Sequence, residues 1–238
     1  MNAAAEQNRE GIYPLPIAAR IAQLAPQTAR RWVKGYHYPY KGERRHSAPV
    51  TYLAQPGTAA TRDLTFEELL TLRLVKAFKE KGLGLRTIKK AAEKAATEYE
   101  VDNPFITRRF RSDGRSVFLD LDVTGAQRQL VNVLTDQHQF REIVEPSLFR
   151  DVVFVGERPR EWRPLGQKRS VIITPNRQFG APHIAGKGVR TDVVADAVRA
   201  EGGDDKAISA VAEWFGLTET EVRDAMQFEG EWLTGKAA

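Results

Sequence analysis

Between residues 26 and 34 the chain reads Pro-Gln-Thr-Ala-Arg-Arg-Trp-Val-Lys, a run with five polar or cationic side chains and no acid. Gln27, Thr28, Arg30 and Arg31 are types that hydrogen-bond the edges of bases, and Arg30, Arg31 and Lys34 are types that neutralise phosphates. Directly after it, residues 35–52 interleave aromatic and basic side chains: Tyr36, His37, Lys41, Arg44, Arg45 and His46 gather around Gly42. Such a stretch suits a β-ribbon lying along a sugar-phosphate backbone, or else a tyrosine-rich packed loop with solvated charges. The chemistry these residues support is recognition of a duplex by base-edge hydrogen bonds and charge.

Catalytic chemistry finds little footing. The four histidines, His37, His46, His138 and His183, are scattered without an H-x-x-x-H pair, and no serine stands in a G-x-S-x-G elbow. Asp120 and Asp122 lie two apart on an expected strand, where they would share a face as a metal pair does, but solvated turn-edge acids are far commoner. The glycine-rich residues 179–191 match neither phosphate-binding fingerprint and read instead as a hairpin leading into a helix. The chain has no cysteine, which removes disulfides, thiolate nucleophiles and cysteine-based metal sites. No enzyme activity, cofactor or metal is expected.

Elements must carry the basic residues. Residues 15–32 show an alanine-rich helix pattern, a turn at Leu24-Ala25 and a restart at Pro26, since proline is favoured at the first helical position where its missing N–H costs nothing. Ile17, Ile21, Leu24 and Trp32 have the spacing of a packed interior. A polar linker follows at 55–62. Thr65 with Glu68 then forms a capping box, with Leu64 and Leu69 as a hydrophobic staple, and predicts a helix from Phe66 that stops at Gly82 and Gly84. A further helix is expected over 85–100, where Ile88, Ala91, Ala92, Ala95 and Tyr99 form a stripe for a closely approaching helix, within the chain or across a homodimer. Half-site recognition favours the dimer.

From 104 to 173 the texture reads as strands. Residues 105–110 and 117–121 flank Ser112-Asp113-Gly114-Arg115, a hairpin signal, and 130–134, 152–155 and 171–173 are further candidates, with a turn at 156–160. Thr191 is expected to cap a helix ending at Gly202-Gly203, and Asp204 to cap one ending at Gly216. Thr218 and Glu221 form a second capping box before the last helix. The fold class is α+β in three parts: 1–103 for DNA binding and dimerisation, 104–175 as a β-rich connection, and 176–238 as a small helical domain.

Charge divides the chain. Residues 1–115 hold 21 Lys and Arg against 12 Asp and Glu, whereas 116–238 hold 15 against 19. The 238 residues are 42% hydrophobic, enough for a substantial core, and contain neither an apolar run of bilayer length nor a signal-peptide pattern at 1–10, so a cytoplasmic location is expected. Residues 210–226 repeat the helix-turn-helix spacing with inverted charge, carrying Glu219, Glu221 and Asp224 against Arg223. From Arg190 onward 5 basic residues face 11 acidic ones, which a duplex would repel, so the terminal unit is expected to bind a protein or to be structural.

These residues suggest a family. Residues 13–52, with Thr28-Ala29-Arg30-Arg31-Trp32 at the centre, resemble the MerR-like winged helix-turn-helix. FEELLTLRLVKAFKEKGLGLRTIKKA resembles the helices that follow it in bacterial type II antitoxins of VapB type. The resemblance continues through Asn103-Pro104-Phe105, Ser112-Asp113-Gly114-Arg115 and Trp162-Arg163-Pro164-Leu165-Gly166. It ends in 179–229, which is similar to a small antitoxin domain of unassigned function. It implies an autorepressor that binds its own double-stranded operator DNA and neutralises a PIN-domain ribonuclease toxin. The chain lacks an effector-binding motif and a long terminal coiled coil, which argues against small-molecule sensing. Two routes of neutralisation are open. The acids Glu219, Glu221 and Asp224 can occupy the toxin's RNA-binding surface, or Arg158, Arg160, Arg163 or Arg177 can enter its acidic site. The clustered acid favours the first. The competing expectation is a stand-alone MerR-like regulator whose C-terminal half binds a ligand or another protein.

Overall fold

The computed structural model describes residues 11–50, 63–121, 124–145 and 150–234, in two compact units. The N-terminal unit spans Tyr13–Arg150 with Phe154–Pro159; the C-terminal unit takes Asp151–Val153 and everything described from Arg160 onward, with Gly11 and Ile12. The expected linker at 55–62 lies outside the described residues.

Helix α1 (Leu15–Ile21) and α2 (Pro26–Lys34) open the N-terminal unit. Pro26 starts α2 as expected, but the turn sits earlier, at Ala22-Gln23, where Gln23 takes a left-handed φ of 53°. Ile21 and Trp32 are buried; Ile17 is 38% exposed and Leu24 half-buried, so the interior of this pair rests on Ala18, Ala19 and Ala29 instead. Small residues let the two short helices approach closely. Gly35, at φ 72°, ends α2 where a Cβ would stand 2.5 Å from the Ser47 carbonyl oxygen, so no other residue fits. The expected ribbon follows: β1 (Tyr36–Tyr40) pairs antiparallel with β2 (Glu43–Ser47), Tyr36 opposite Ser47 and Tyr40 opposite Glu43. Lys41 and Gly42, both at positive φ, form its two-residue turn.

Helix α3 (Phe66–Glu80) carries the capping box: the Thr65 amide donates to Glu68 Oε2 at 2.7 Å and the Glu68 amide to Thr65 Oγ1 at 3.2 Å. Leu72 and Thr71 are buried along with the expected apolar face, which makes α3 the central helix of its unit. In α4 (Leu85–Tyr99) the stripe Ile88, Ala91, Ala92 and Ala95 is fully buried within this one chain, packed against α5 (Arg108–Leu119) and the 3-10 turn Pro104–Ile106. The stripe is therefore an intrachain seam, not the dimer surface that its spacing allowed.

The residues expected as strands at 105–110, 117–121 and 130–134 are largely helical. They are the 3-10 turn, α5 and α6 (Ala126–Thr135), followed by α7 (Gln137–Val144). Gly114 is not a hairpin residue. It sits inside α5, where a Cβ would fall 2.7 Å from the Phe110 ring and 2.9 Å from that of Phe140. The glycine clears space for a cluster in which Phe78, Phe105, Phe110, Phe118 and Phe140 meet at centroid distances of 4.9–6.4 Å, mostly edge to face. Thr107 caps α5 by accepting from the Phe110 amide. Asp120 stands at the C-terminal end of that helix, not on a strand, and pairs with Lys94 at 2.5 Å.

Of the later strands, those over Val152–Val155 and Val171–Ile172 are as expected, whereas the strand Arg158–Trp162 takes up residues expected as a turn. β3 (Val152–Val155) pairs with β4 (Arg158–Trp162), the turn being shorter than expected because β4 begins at Arg158. β5 (Val171–Ile172) pairs with β6 (His183–Ile184), and Trp162 bridges Ile173. Helices α8 (Thr191–Ala200), α9 (Asp205–Phe215) and α10 (Glu219–Thr234) complete the C-terminal unit, its core built on Trp162, Ile173, Ile184, Val194, Val211, Val222 and Phe228. Asp204 caps α9, Gly216 closes it in the left-handed conformation, and Thr218 with Glu221 forms the second box. Thr191 does not cap α8: its hydroxyl lies within the first turn and donates to the buried Glu229 carboxylate.

Candidate functional site

Helix α2 sorts its residues by side. Ala29, Trp32 and Val33 are buried, while Gln27, Arg30 and Arg31 are exposed and Thr28 and Lys34 half-buried. On the ribbon, His37, Lys41, Arg44 and Arg45 are exposed and Tyr36 half-buried. Aromatic faces organise the cations: the Arg31 guanidinium lies 5.5 Å from the Tyr36 ring, joining α2 to β1, and Arg45 and Lys41 lie 4.4 and 5.7 Å from Tyr40. His37 and His46 face each other across the ribbon at 4.8 Å. The one carboxylate on the ribbon, Glu43, stands 3.8 Å from Arg45, an exposed pair of little strength. The structure thus brings all ten expected DNA-facing residues onto one helix and the ribbon that follows it.

Three neighbours were not singled out in the sequence. Tyr38 and Tyr40 are 36% and 44% exposed on the ribbon. The Lys89 ammonium donates to the Ala48 carbonyl oxygen, which places the start of α4 at the foot of the ribbon, and partial burial lowers its pKa. The alternating aromatic pattern could have pointed to the tyrosines; only the tertiary fold reveals Lys89.

The residues expected to meet a protein partner are less uniform. Arg158 and Arg160 occupy exposed alternate positions of β4. Arg163 is tied to Glu161 at 2.7 Å and to the Gln167 carbonyl oxygen at 3.3 Å; Arg177 is exposed. Glu219 accepts from Ser209 at 2.6 Å, and Glu221 closes the capping box with Thr218. Asp224 is not a surface acid at all. It is 1% exposed, paired with Arg169 at 2.7 Å, and accepts from the Ser170 amide at 2.7 Å, bracing α10 against the chain ahead of β5. Its side chain points inward because it falls on the stripe shared by Val222, Ala225 and Phe228.

His183 is fully buried, its Nδ1 2.9 Å from the Ala181 carbonyl oxygen, and burial lowers its pKa. In a hollow of about 940 Å³ lined by Arg111, His138, Arg141, Glu142, Glu145 and Arg150, Arg111 pairs with Glu145 at 2.9 Å and His138 Nδ1 lies 3.2 Å from the Glu142 carboxylate. Among the described residues no cluster could hold a metal ion, and no helix is long and apolar enough to cross a membrane.

This mixed architecture, helices with short antiparallel hairpins, is shared with a known structure. The crystal structure of Rv2018 from Mycobacterium tuberculosis superposes with a TM-score of 0.66, covering 90% of this chain and 96% of that one at 23% identity. By sequence, the chain is similar to the M. tuberculosis protein named "Putative antitoxin VapB45", 25% identical over 229 residues that cover 90% of this chain and 92% of that protein. No family model matches.

Proposed function

We propose that this chain is the antitoxin of a type II toxin–antitoxin pair. It binds its own operator through α2 and the β1–β2 ribbon in a MerR-like winged helix-turn-helix manner, as a homodimer on an inverted repeat, and neutralises a PIN-domain ribonuclease through the C-terminal unit. The observation that carries the DNA half is the arrangement on α2: Gln27, Arg30 and Arg31 exposed beside a cation-rich ribbon, above a wholly apolar underside. Similarity to a protein named as a VapB antitoxin along nearly the full length supports the toxin half.

For neutralisation, the burial of Asp224 and the local bonds of Glu219 and Glu221 weaken the route by acid occlusion. The stretch between Glu161 and Asp192 favours the cationic route. It holds six Lys and Arg and no acid, and among the described residues neither Arg177 nor Lys187 pairs with a carboxylate.

The test is co-expression of the full chain with the product of the neighbouring small reading frame, followed by co-purification, a ribonuclease assay, and gel shift on the DNA upstream of both. A stable complex with suppressed ribonuclease activity and a shifted upstream fragment is expected. DNA binding without any complex would instead favour the stand-alone regulator.

A further inference from the structure

Phe179 is 88% exposed, more than any other large apolar side chain described, and it is held there by an unusual backbone. Gln178, Phe179 and Gly180 take φ values of 50°, 54° and 86° in succession, so two side-chain-bearing residues stand in the left-handed region that glycine favours. The loop is nonetheless fixed. Gln178 Nε2 donates to the Gly188 carbonyl oxygen at 2.7 Å, the Gly180 amide to that of Arg177 at 2.9 Å, and the Ile12 amide to that of Phe179 at 3.3 Å, while Gly180 itself is buried. A scattered exposed apolar residue is ordinary on a protein surface. A phenyl ring presented to water on a conformation its own side chain disfavours contributes nothing to folding that glycine would not do better.

We infer that Phe179 is the aromatic anchor by which the C-terminal unit docks on a partner protein presenting an apolar pocket rimmed by carboxylates. The inference rests on the proposed protein-binding role of this unit and adds the residue and the complementary chemistry. The rim is assigned from charge: the acid-free stretch around Phe179 sets exposed Arg177 and Lys187 in the same chain segment. A rigid aromatic on a pre-organised loop is the form that interface hot spots take, because little side-chain freedom is lost on docking. Single-stranded nucleic acid is the weaker fit. Such sites stack successive bases on several aromatics, whereas the acids from Asp192 onward would repel a phosphate chain.

The test uses the full chain in Phe179→Ala, Phe179→Gly and Phe179→Trp forms. Calorimetric titration against the purified neighbouring-gene product is run beside thermal melting, gel shift on the upstream DNA, a single-stranded 15-mer, and sedimentation. F179A and F179G are expected to weaken the complex about 30-fold, and F179W to stay close to wild type. F179G should also raise the melting temperature by about 2–4 °C, because it relieves the left-handed phenylalanine. Upstream-DNA binding should not change. Undiminished partner affinity in F179A and F179G overturns the inference while leaving the antitoxin reading intact. Loss of 15-mer binding in place of partner binding, or a change of sedimenting mass showing a second copy as occupant, overturns it as well. A wild-type chain that fails to bind the neighbouring product overturns the antitoxin reading, and the inference with it.

Discussion

Arg30 and Arg31 are adjacent, yet only Arg31 reaches the ribbon, through Tyr36. Replacing both with alanine is expected to lower specific affinity for the upstream DNA at least tenfold, since one bidentate arginine–guanine contact is worth about 1–3 kcal/mol. Gel shift checks the loss, and an unchanged melting temperature shows that the exposed side chains do not hold the fold. Asp224→Ala is expected to do the opposite: it leaves DNA binding intact and destabilises the C-terminal unit by about 3 kcal/mol, because Arg169 and the Ser170 amide lose a buried partner. Denaturant unfolding measures it. His183 makes one pH-dependent contribution to stability. Burial holds its folded pKa below the ordinary 6.5, so the unfolded chain binds the proton more readily. The stability contributed by neutral His183 is fully present above pH 6.5 and falls as acidification proceeds through that value toward the lower folded pKa. Melts from pH 7.5 down to about 5 should show the decline, and His183→Gln should flatten it.

At the scale of elements, α5 and α4 each show one sequence signal with two structural meanings. Asp-Gly between apolar runs marks a hairpin, but Phe110, Gly114, Val117 and Phe118 also recur at helical spacing, and burying both phenyl rings decides for the helix. Gly114→Ala would gain about 1 kcal/mol of helix propensity, yet its methyl would meet two aromatic rings below 3 Å. Overpacking costs about 1–3 kcal/mol, so the expected outcome is a lowered melting temperature, opposite to the result for an exposed helix. The small-residue stripe of α4 behaves alike. Glutamate at Ala92 and Ala95 is expected to unfold the N-terminal unit, read by loss of helical circular dichroism, rather than to release a folded monomer.

For the whole molecule, the two units have separate cores. A cut at 103/104, where composition changes, would part Phe78 from Phe105, Phe110 and Phe118. A chain starting at 104 is therefore expected to lack cooperative folding, whereas one starting at 151 retains the core around Trp162 and Phe228 and should melt cooperatively. Charge acts at this scale as well. Affinity of the full chain for upstream DNA should fall linearly with the logarithm of salt, with a slope of about −0.9 per phosphate contacted. A slope near zero would mean that the basic N-terminal surface does not meet the backbone.

Local signals were legible in the residues alone wherever one short-range effect dominates. Pro26 starts a helix, Thr65 with Glu68 and Thr218 with Glu221 cap two others, Lys41-Gly42 turns a ribbon, and the cations of α2 stand outward because its apolar residues share the opposite side. Those effects act over three or four residues. The tertiary structure decided matters that depend on partners distant in the chain. Gly114 serves packing because Phe140 lies against it, Asp224 is internal because Arg169 meets it, and the α4 stripe is filled because α5 covers it. Phe179, by contrast, stays exposed on a backbone held by Gly188 and Ile12. At these four places burial against residues distant in the chain decides which side chains face water, and no pattern over three or four residues contains it.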